Sequence, residues 1–461
     1  MRPWFKIVVL LGLLAPVLVA GRRSPKVDPH PGRSGALTER EMDIARIAWK
    51  YFENNTQPDT GLVNAVDNYP STTIWDVGSS IGALVSAFEL GVITEDAFHE
   101  RAHAMLATLG KLDLFRDELP NKAYDTRTAT KANYANEPGE IGYSALDIGR
   151  LLIWLRILEE RQPYYTPAVN AIVSRWSFCN LLDHCGTMYG AAPEGADVVS
   201  LQEGRLGYEE YAAKGYQLFG FDTQAASEAE PMDIERMYGI DIPADARDPR
   251  VLGAHNYVVT ESYALDGMEL NWDRADDRKA DDMKHTDTLA ADFASRIYKV
   301  QEARHALTGI LTARTEHQLD AAPWFVYDTV YSDGYRWNTI TDDGRYLPAS
   351  AAVSTKAAFS LWTLWNTPYT ELLLTSMSGK FDPERGYYEG VYELSGANIK
   401  AFTANNNAII LEALLYKVQG KLLRFAPHKP GSWASTDPAI AKAKCQLPSE
   451  QRSPCGPAPR R

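Results

Sequence analysis

Hydrophobic residues recur at three- and four-residue spacing along most of the chain, which predicts a protein built mainly of helices. The first helix follows a capping box, Thr38-Glu39-Arg40-Glu41, and its apolar face carries Ile44, Ile47, Ala48 and Phe52. Comparable stretches predict helices near 76–91, 95–109, 144–160, 165–179, 207–220, 284–304, 349–366, 368–379 and 404–420. With one or two weaker stretches between 256 and 320, the pattern predicts ten to twelve helices.

The connections between these helices alternate in length. The long ones are rich in Gly, Asp, Tyr and Trp and cover 56–74, 112–143, 186–206, 323–348 and 381–403. A strand pattern stands out only from Trp324 to Tyr331. Helix pairs with a short link on one side and a long one on the other predict an all-α toroid whose long loops line a cleft at one end, where function concentrates.

The two ends of the chain differ from its centre. Arg2 and Lys6 precede the apolar run 7–14, and small residues follow at 19–21, so residues 1–21 are predicted to be a signal peptide cleaved after Ala20 or Gly21. The alternative is an uncleaved anchor, although Pro16 interrupts a run that is short for a spanning helix. We therefore expect a periplasmic or secreted protein with no integral membrane span after cleavage. The predicted organisation continues with a flexible spacer at 22–36, one domain at 37–425 and an irregular Pro-rich tail at 426–461.

Composition narrows the possible partners. The 461 residues are 45% hydrophobic and 23% charged, which is typical of a folded globular protein. The formal net charge of −13 disfavours nucleic acid and anionic membranes as partners. The four cysteines form two local pairs, Cys179 with Cys185 and Cys445 with Cys455, which predicts two short-loop disulfides in an oxidising compartment rather than a metal site. No metal-binding or phosphate-binding motif is present, so no cofactor is expected.

Carboxylates beside aromatic residues in the long segments are the informative chemical feature. Hydrolysis of a glycosidic bond needs one protonated carboxyl group and one ionised one, while sugar faces stack on aromatic rings. Trp75 and Asp76 enter one helix, where Asp76 could instead be a simple N-cap. A second segment contains Tyr124, Asp125, Arg127, Glu140, Tyr143 and Asp147, with an Asp147–Arg150 ion pair as the structural alternative.

Two further segments have the same character. Tyr208, Glu209 and Glu210 begin a helix on which neighbouring side chains point about 100° apart, so one carboxylate should face the cleft beside tyrosines that raise its pKa. The alternative is that both favour the positive end of the helix. The last segment predicts a sugar-binding wall, in which any single member is more readily a supporting residue than a catalytic one; it contains Tyr327, Asp328, Asp333, Tyr335, Arg336 and Trp337, flanked by Glu261, Tyr388 and Glu389.

The order of these motifs resembles a known clan. The run from Asp76 to Thr94, the run from Phe115 to Arg127, Glu140 to Asp147, and Gly207-Tyr208-Glu209-Glu210 followed by Tyr216 to Gly220 resemble the glucoamylase-like clan that contains glycoside hydrolase family 144. Pro348 to Ala352, Phe381 to Glu389 and Asn405 to Glu412 follow the same order. Overall the chain, from about 40 to 425, is most similar to a bacterial family of unknown function, number 3131, related to that clan.

The resemblance implies an (α/α)6 toroid that hydrolyses, or transfers sugar units of, a β-glucan or exopolysaccharide, with β-1,2-glucan as the best-known substrate. It implies Glu210 as the general acid and points to Glu140 and Asp147 as cleft carboxylates, so the base or nucleophile is expected among Asp147, Glu140 and Asp76. The chain departs from the clan pattern at Ile148, where a Thr is usual, and lacks Gly-Ser-Pro-Thr after Gly220.

Two other classes remain open from the sequence. A polysaccharide lyase would need Tyr or His bases beside cations, for which Arg127, Arg150 and Arg336 are candidates. A non-catalytic glycan-binding or assembly factor would use the same aromatic loops without turnover. In all three cases the expected partner is an oligosaccharide or polysaccharide.

Overall fold

The computed structural model describes residues 32–183, 185–203, 205–229, 231–247, 256–277 and 284–425. The predicted signal peptide, most of the spacer, the tail and the Cys445–Cys455 pair lie outside the described residues. Within them the α-helices are α1 (Glu39–Asn55), α2 (Ile74–Glu89), α3 (Glu95–Leu109), α4 (Ala145–Arg161), α5 (Thr166–Ser174), α6 (Tyr208–Leu218), α7 (Gln224–Ser227), α8 (Thr260–Leu270), α9 (Thr288–Thr308), α10 (Thr355–Leu364), α11 (Pro368–Met377) and α12 (Ala404–Gln419).

Six of these helices form a closed ring. In the order α2, α4, α6, α8, α10, α12, each contacts the next, and α12 contacts α2. Nearly all of their residues are buried, and in α8 every residue is. A helix that is buried on all sides cannot be amphipathic in the usual sense, because it has no face to present to water. These inner helices therefore form the core of the molecule.

The other helices pack around the ring. Helix α1 contacts α12, α3 contacts α2, α5 contacts α3 and α4, α7 contacts α6, α9 contacts α8, and α11 contacts α10. Each outer helix is adjacent in sequence to an inner one, so the predicted helix pairs are present and their arrangement is consistent with an (α/α)6 toroid. In the part of the chain described here, no helix is both long enough and apolar enough to cross a bilayer.

The all-α prediction is not confirmed, because the long connections contain twenty short strands within the described ranges. The strands pair antiparallel as small sheets in the orders β1-β4-β5, β10-β13-β14, β11-β12-β15 and β16-β19-β20, with the hairpins β2-β3, β6-β7, β8-β9 and β17-β18. Backbone N–H and C=O groups in long loops need partners, and short hairpins supply them locally. Their bounds are β1 (Ser71–Thr73), β2 (Leu114–Phe115), β3 (Leu119–Pro120), β4 (Ala123–Asp125), β5 (Lys131–Ala132), β6 (Tyr189–Glu194), β7 (Asp197–Gln202), β8 (Met232–Met237), β9 (Ile240–Asp245), β10 (Tyr257–Val258), β11 (His317–Gln318), β12 (Phe325–Asp328), β13 (Tyr331–Ser332), β14 (Tyr335–Arg336), β15 (Thr339–Ile340), β16 (Ala352–Ser354), β17 (Phe381–Asp382), β18 (Gly386–Tyr387), β19 (Gly390–Tyr392) and β20 (Asn398–Ile399).

One end of the predicted spacer is held by the helices. The Arg33 backbone N–H donates to Thr363 O over 2.8 Å, and its guanidinium lies 3.0 Å from Glu371 Oε2 and over the Trp362 ring. The Gly35 N–H donates to Lys417 O over 3.0 Å. Arg33 and Gly35 thus contact α10, α11 and α12, and the flexibility predicted for residues 22–36 stays a prediction.

Candidate active site

The first turns of the six inner helices meet at one end of the ring. The rings of Trp75 at the start of α2 and Tyr208 at the start of α6 lie 5.6 Å apart. Asn405 in the first turn of α12 donates to Glu261 in the first turn of α8 over 2.7 Å, and Glu261 lies 2.5 Å from Lys356 in the first turn of α10. We term this end the mouth; it contains these residues together with Asp76, Asp147, Glu203, Arg205, Glu210, Glu316 and Glu389.

Three carboxylates of the mouth occupy the same position in their helices. Asp76, Asp147 and Glu210 are each the third residue of an inner helix, after the N-cap residues Thr73, Ser144 and Gly207. A carboxylate at this position bonds to the N-cap and lies near the positive end of the helix dipole. The helix ring therefore brings together three acidic groups that are far apart in sequence.

Asp147 is the carboxyl group most clearly suited to proton transfer. It is half-buried, and its Oδ1 accepts a hydrogen bond of 3.1 Å from Ser144 Oγ, which also lies 2.9 Å from Glu203 Oε2. Burial, together with the negative charge of Glu203, raises the pKa of Asp147 to about 7. The alternative of an ion pair with Arg150 is not formed, because Arg150 instead bonds to Glu269 Oε1 over 3.1 Å inside the ring.

Asp76 has a similar setting with different neighbours. Thr73, not Asp76, is the N-cap of α2, and its hydroxyl donates to Asp76 Oδ2 over 2.7 Å. Burial raises the pKa of Asp76, although this hydrogen bond and the charges of Lys356 and Arg150 act in the opposite direction. Asp76 is half-buried, so its carboxyl group keeps some access from the mouth.

Glu209 and Glu210 point to different partners, as their separation on the helix requires. Glu210 is 8% exposed, and its Oε2 accepts a 2.5 Å hydrogen bond from the Gly207 N–H. Glu209 is fully buried, with Oε2 3.8 Å from Arg247 Nη1. Glu210 is thus bonded to the N-cap of α6, where the inner helices converge.

Glu389 enters the mouth from the loop before α12. It is 1% exposed, accepts a hydrogen bond from the Thr403 hydroxyl and lies 3.3 Å from the Gln318 backbone N–H. Burial raises the pKa of Glu389 to about 7, although the nearby Lys356 ammonium lowers it. The sequence placed Glu389 and Glu261 among the sugar-binding residues, and the structure brings both next to Lys356.

Other mouth residues were missed by sequence reasoning. Lys356 and Asn405 are the second residues of α10 and α12, the same position that Glu261 has in α8. That shared position is a signal that could have identified them. Glu316 accepts a hydrogen bond from the Tyr208 hydroxyl, and burial raises its pKa; its sequence context offered no comparable signal.

The structure does not bring Glu140 to these carboxylates. Its Oε1 lies 2.5 Å from Lys131 Nζ, and its Oε2 lies 3.7 Å from Arg116 Nε, in the hairpin region before α4. A carboxylate paired with two cations is held for loop structure rather than for acid-base chemistry. Glu140 therefore stays outside the site proposed below.

The predicted sugar-binding residues fall into three groups. Trp75 and Tyr208 lie in the mouth, and Tyr327 stacks on Tyr257 with ring centres 4.6 Å apart, beside Arg205. Tyr124, Tyr143 and Asp328 are at most 1% exposed and make internal bonds, as does the Asp125–Arg127 pair within its own loop. The rest lie on or near the surface: Asp333 bonded to the Asn256 N–H, Tyr335 exposed, Arg336 paired with Glu235, Trp337 under Arg304, and Tyr388 against Phe402.

Tyr134 adds an exposed aromatic ring that sequence reasoning did not select. It is 67% exposed, and its backbone oxygen accepts from the Tyr69 hydroxyl over 3.1 Å. The negative charges of Asp147 and Glu203 act on the Tyr134 side chain. Tyr134 therefore offers an exposed aromatic surface within electrostatic reach of the mouth.

Two smaller findings concern cysteines and metals. Neither Cys179 nor Cys185 is a free thiol, and their predicted pairing with each other stays a prediction. Within the described ranges no cluster of three or more His, Cys, Asp or Glu side chains is arranged to hold a metal ion.

Solved structures share this fold at low sequence identity. An endo-β-1,2-glucanase from Chitinophaga pinensis, in complex with sophorotriose and glucose, is 13% identical with a TM-score of 0.61, over 90% of this chain and 100% of that one. A glucoamylase-like protein from Bacteroides caccae is 12% identical with a TM-score of 0.60, over 87% of this chain and 97% of that one. An endo-β-1,2-glucanase from Talaromyces funiculosus, in complex with sophorose, is 11% identical with a TM-score of 0.53, over 84% and 85%.

The family comparison is more specific. A search of curated proteins found no match. The model of a family described as a protein of unknown function, DUF3131, matches residues 43–420, which includes the whole helix ring and every carboxylate of the mouth. The chain therefore belongs to the DUF3131 family.

Proposed function

We propose that this protein is a glycoside hydrolase that acts on a β-glucan at the mouth of the helix ring. The observation that carries the proposal is the meeting of Asp76, Asp147 and Glu210 at the first turns of three inner helices, with the pKa of Asp147 raised to about 7. A carboxyl group that titrates near neutral pH suits general acid-base catalysis. The similar solved structures include endo-β-1,2-glucanases, which makes β-1,2-glucan the first substrate to test.

Each carboxylate has a proposed role. Glu210 donates a proton to the leaving sugar oxygen, as the resemblance implied. Asp147 acts as the base, because a half-buried carboxyl group with a pKa of about 7 can hold a proton and release it at neutral pH. Asp76 is held by Thr73 beside it and is the alternative base. Trp75, Tyr208 and Tyr134 supply aromatic surface for the sugar rings.

The first prediction concerns the dependence of hydrolysis on pH. If Asp147 is the base, its ionised form is the active one, so the low-pH side of the rate profile should be centred near the Asp147 pKa of about 7, and the rate should fall again at higher pH as Glu210 loses the proton that it donates. The measurement is reducing-end release from β-1,2-, β-1,3- and β-1,4-glucan and an α-glucan between pH 4 and 9. Asp147→Asn and Glu210→Gln should each lose at least about 100-fold in rate.

Control variants distinguish the loss of a catalytic group from a general effect of removing a carboxylate. Glu140→Gln removes a carboxylate that pairs with Lys131 in a hairpin region and should keep most of the activity. A rate that falls as pH rises through 7 would make Asp147 the proton donor instead. Full activity of Glu210→Gln would refute the assignment of Glu210 as the general acid. If the unmodified protein hydrolyses none of the tested polymers, the hydrolase proposal fails and glycan binding without turnover is the alternative.

The three arginines that suggested a polysaccharide lyase all pair with carboxylates of the protein itself, so they do not support that alternative. Arg127 pairs with Asp125, Arg336 pairs with Glu235, and Arg150 is enclosed in the ring with Glu269 and Glu412. A uronate substrate needs cations that are available to its carboxylate. We also propose that the protein is exported, on the basis of the signal-like segment at residues 1–21; the test is the size and cell fraction of the mature chain.

A further inference from the structure

Side chains from four inner helices form a hydrogen-bonded floor at the base of the mouth. Ser79 Oγ of α2 donates to Asn405 Oδ1 of α12 over 2.9 Å, and Asn405 Nδ2 donates to Glu261 Oε1 of α8 over 2.7 Å. The second oxygen of Glu261 lies 2.5 Å from Lys356 Nζ of α10. These four residues, termed the floor, are each at most 8% exposed.

Lys356 retains hydrogen-bonding capacity at this position. An ammonium group has three N–H donors. Within the described residues Lys356 Nζ forms one ion pair, with Glu261 Oε2, and the Lys356 side chain is only 6% exposed. Because burial of unsatisfied donors is costly, the remaining N–H groups favour a ligand with an oxygen acceptor.

The charges around Lys356 indicate what kind of ligand fits. Lys356 interacts electrostatically with four carboxyl groups from separate elements, which are Glu261, Glu316, Glu389 and Asp76. It also interacts electrostatically with His317. Burial acts to lower the pKa of Lys356, but these charges raise it overall, so the ammonium stays protonated. The surrounding carboxylates would repel an anionic ligand, whereas they would not repel a neutral hydroxyl group.

We propose that Lys356 is a specificity-determining residue that donates hydrogen bonds to a hydroxyl group of the sugar seated on the floor, while Glu261 and Asn405 hold its side chain in place. The proposal rests on the proposed function in that the ligand is a glycan, but it does not require that the glycan is cleaved.

The test is glycan binding by Lys356→Met. Calorimetric titration with the β-1,2-linked glucose trimer, and with β-1,3- and β-1,4-linked trimers, is carried out in a Glu210→Gln background to limit turnover. Loss of a hydrogen bond from a charged donor should weaken binding of the preferred trimer by about 10- to 100-fold. Lys356→Arg, which keeps the charge and the donors, should recover part of this loss. In the hydrolytic protein, Lys356→Met should raise KM more than it lowers kcat.

Lys421 provides a matched control at the opposite end of the ring. Its Nζ lies 2.8 Å from Asp273 Oδ2, and both side chains are 5% exposed, so Lys421→Met removes a comparable buried ion pair far from the mouth. Thermal unfolding of both variants reports whether the fold is kept. Lys421→Met should bind the trimer like its parent.

The outcomes separate this proposal from the proposed function. Binding by Lys356→Met as tight as that of its parent, or absence of binding of all three trimers by the parent, overturns the role of Lys356 even if polymer hydrolysis is normal. If Lys356→Met weakens trimer binding, Lys421→Met does not, and the unmodified protein cleaves no polymer, the binding role of Lys356 is supported and the proposed hydrolase activity is refuted.

Discussion

At the scale of single residues, the same local position gives carboxylates of different character. Asp76, Asp147 and Glu210 all follow an N-cap by three residues, a spacing that is visible in the sequence. Their surroundings differ, because Asp147 faces Glu203 whereas Asp76 lies near Lys356 and Arg150. The spacing predicts the position of each carboxylate, but its ionisation depends on neighbours that come from distant segments.

Asp147→Asn should stabilise the fold at high pH while it reduces activity. The pKa of Asp147 is about 7 in the fold and about 3.8 as the reference, so the native state favours the protonated carboxyl group. Its stabilising effect is complete below pH 4 and is lost as pH rises through 7. Chemical denaturation should therefore show equal stability of the two proteins near pH 4 and a gain of about 1–2 kcal/mol for Asp147→Asn at pH 8, after allowance for solvent screening.

Asp125→Asn serves as a control with the opposite sign. Hydrogen bonds from Arg127, Asn136 and Thr128 outweigh burial and lower the pKa of Asp125 to about 2. Its contribution to stability is present above pH 4 and is lost as pH falls through 2. Asp125→Asn should therefore destabilise the protein at pH 7. Equal pH dependence of stability for Asp147→Asn and the unmodified protein would contradict the assigned Asp147 environment.

At the scale of elements, local signals located the helices better than they located their ends. The capping box of α1 gave an accurate start, and the helix predicted over 95–109 matches α3. The predicted helix at 349–366 begins only at Thr355, because Ala352–Ser354 pairs with β19. The helix predicted over 165–179 ends at Ser174. Strand pairing across 30 or more residues competes with helix propensity, and no local pattern reports its outcome.

The close contact of α4 and α6 depends on glycines. A Cβ added to Gly215 would lie 2.1 Å from the backbone oxygen of Gly149, a separation that requires the helices to move apart. Gly215→Ala should therefore lower the free energy of unfolding by about 1–3 kcal/mol, as overpacking does. Gly379→Ala is the control, because a Cβ there has no atom within 4 Å. Urea denaturation of both variants makes the comparison, and equal stabilities would show that the helices separate without cost.

At the scale of the whole molecule, one buried guanidinium connects most of the ring. Arg150 of α4 bonds to Glu269 of α8 over 3.1 Å, to Glu412 of α12 over 3.3 Å and to Tyr211 of α6 over 3.2 Å, and it lies over the Trp75 ring of α2. Burial raises the pKa of Glu412 well above its usual range, so this carboxyl group favours its protonated form. One cation thus balances one ionised carboxylate within the ring.

Arg150→Met should destabilise the protein more than any surface change. Removal of the cation leaves Glu269 buried without its opposite charge, which costs about 3–5 kcal/mol. The control is Arg46→Met, which breaks ion pairs with Glu39 and Asp43 whose side chains are all more than half exposed, and should leave the stability almost unchanged. Denaturant unfolding at pH 7 measures both. A loss for Arg150→Met as small as for Arg46→Met would show that Glu269 takes up a proton at little cost.

The sequence by itself determined the helix pairs, the length alternation of their connections and the acidic residues three places after an N-cap, because helix periodicity and capping act over a few residues. Only the tertiary structure decided that Glu140 pairs with Lys131 and that Arg150 pairs with Glu269 in the core. It also decided that Lys356 and Asn405 contact Glu261 at the base of the mouth. Ring closure brings together residues hundreds of positions apart, and burial and charge at that meeting point depend on all six inner helices at once.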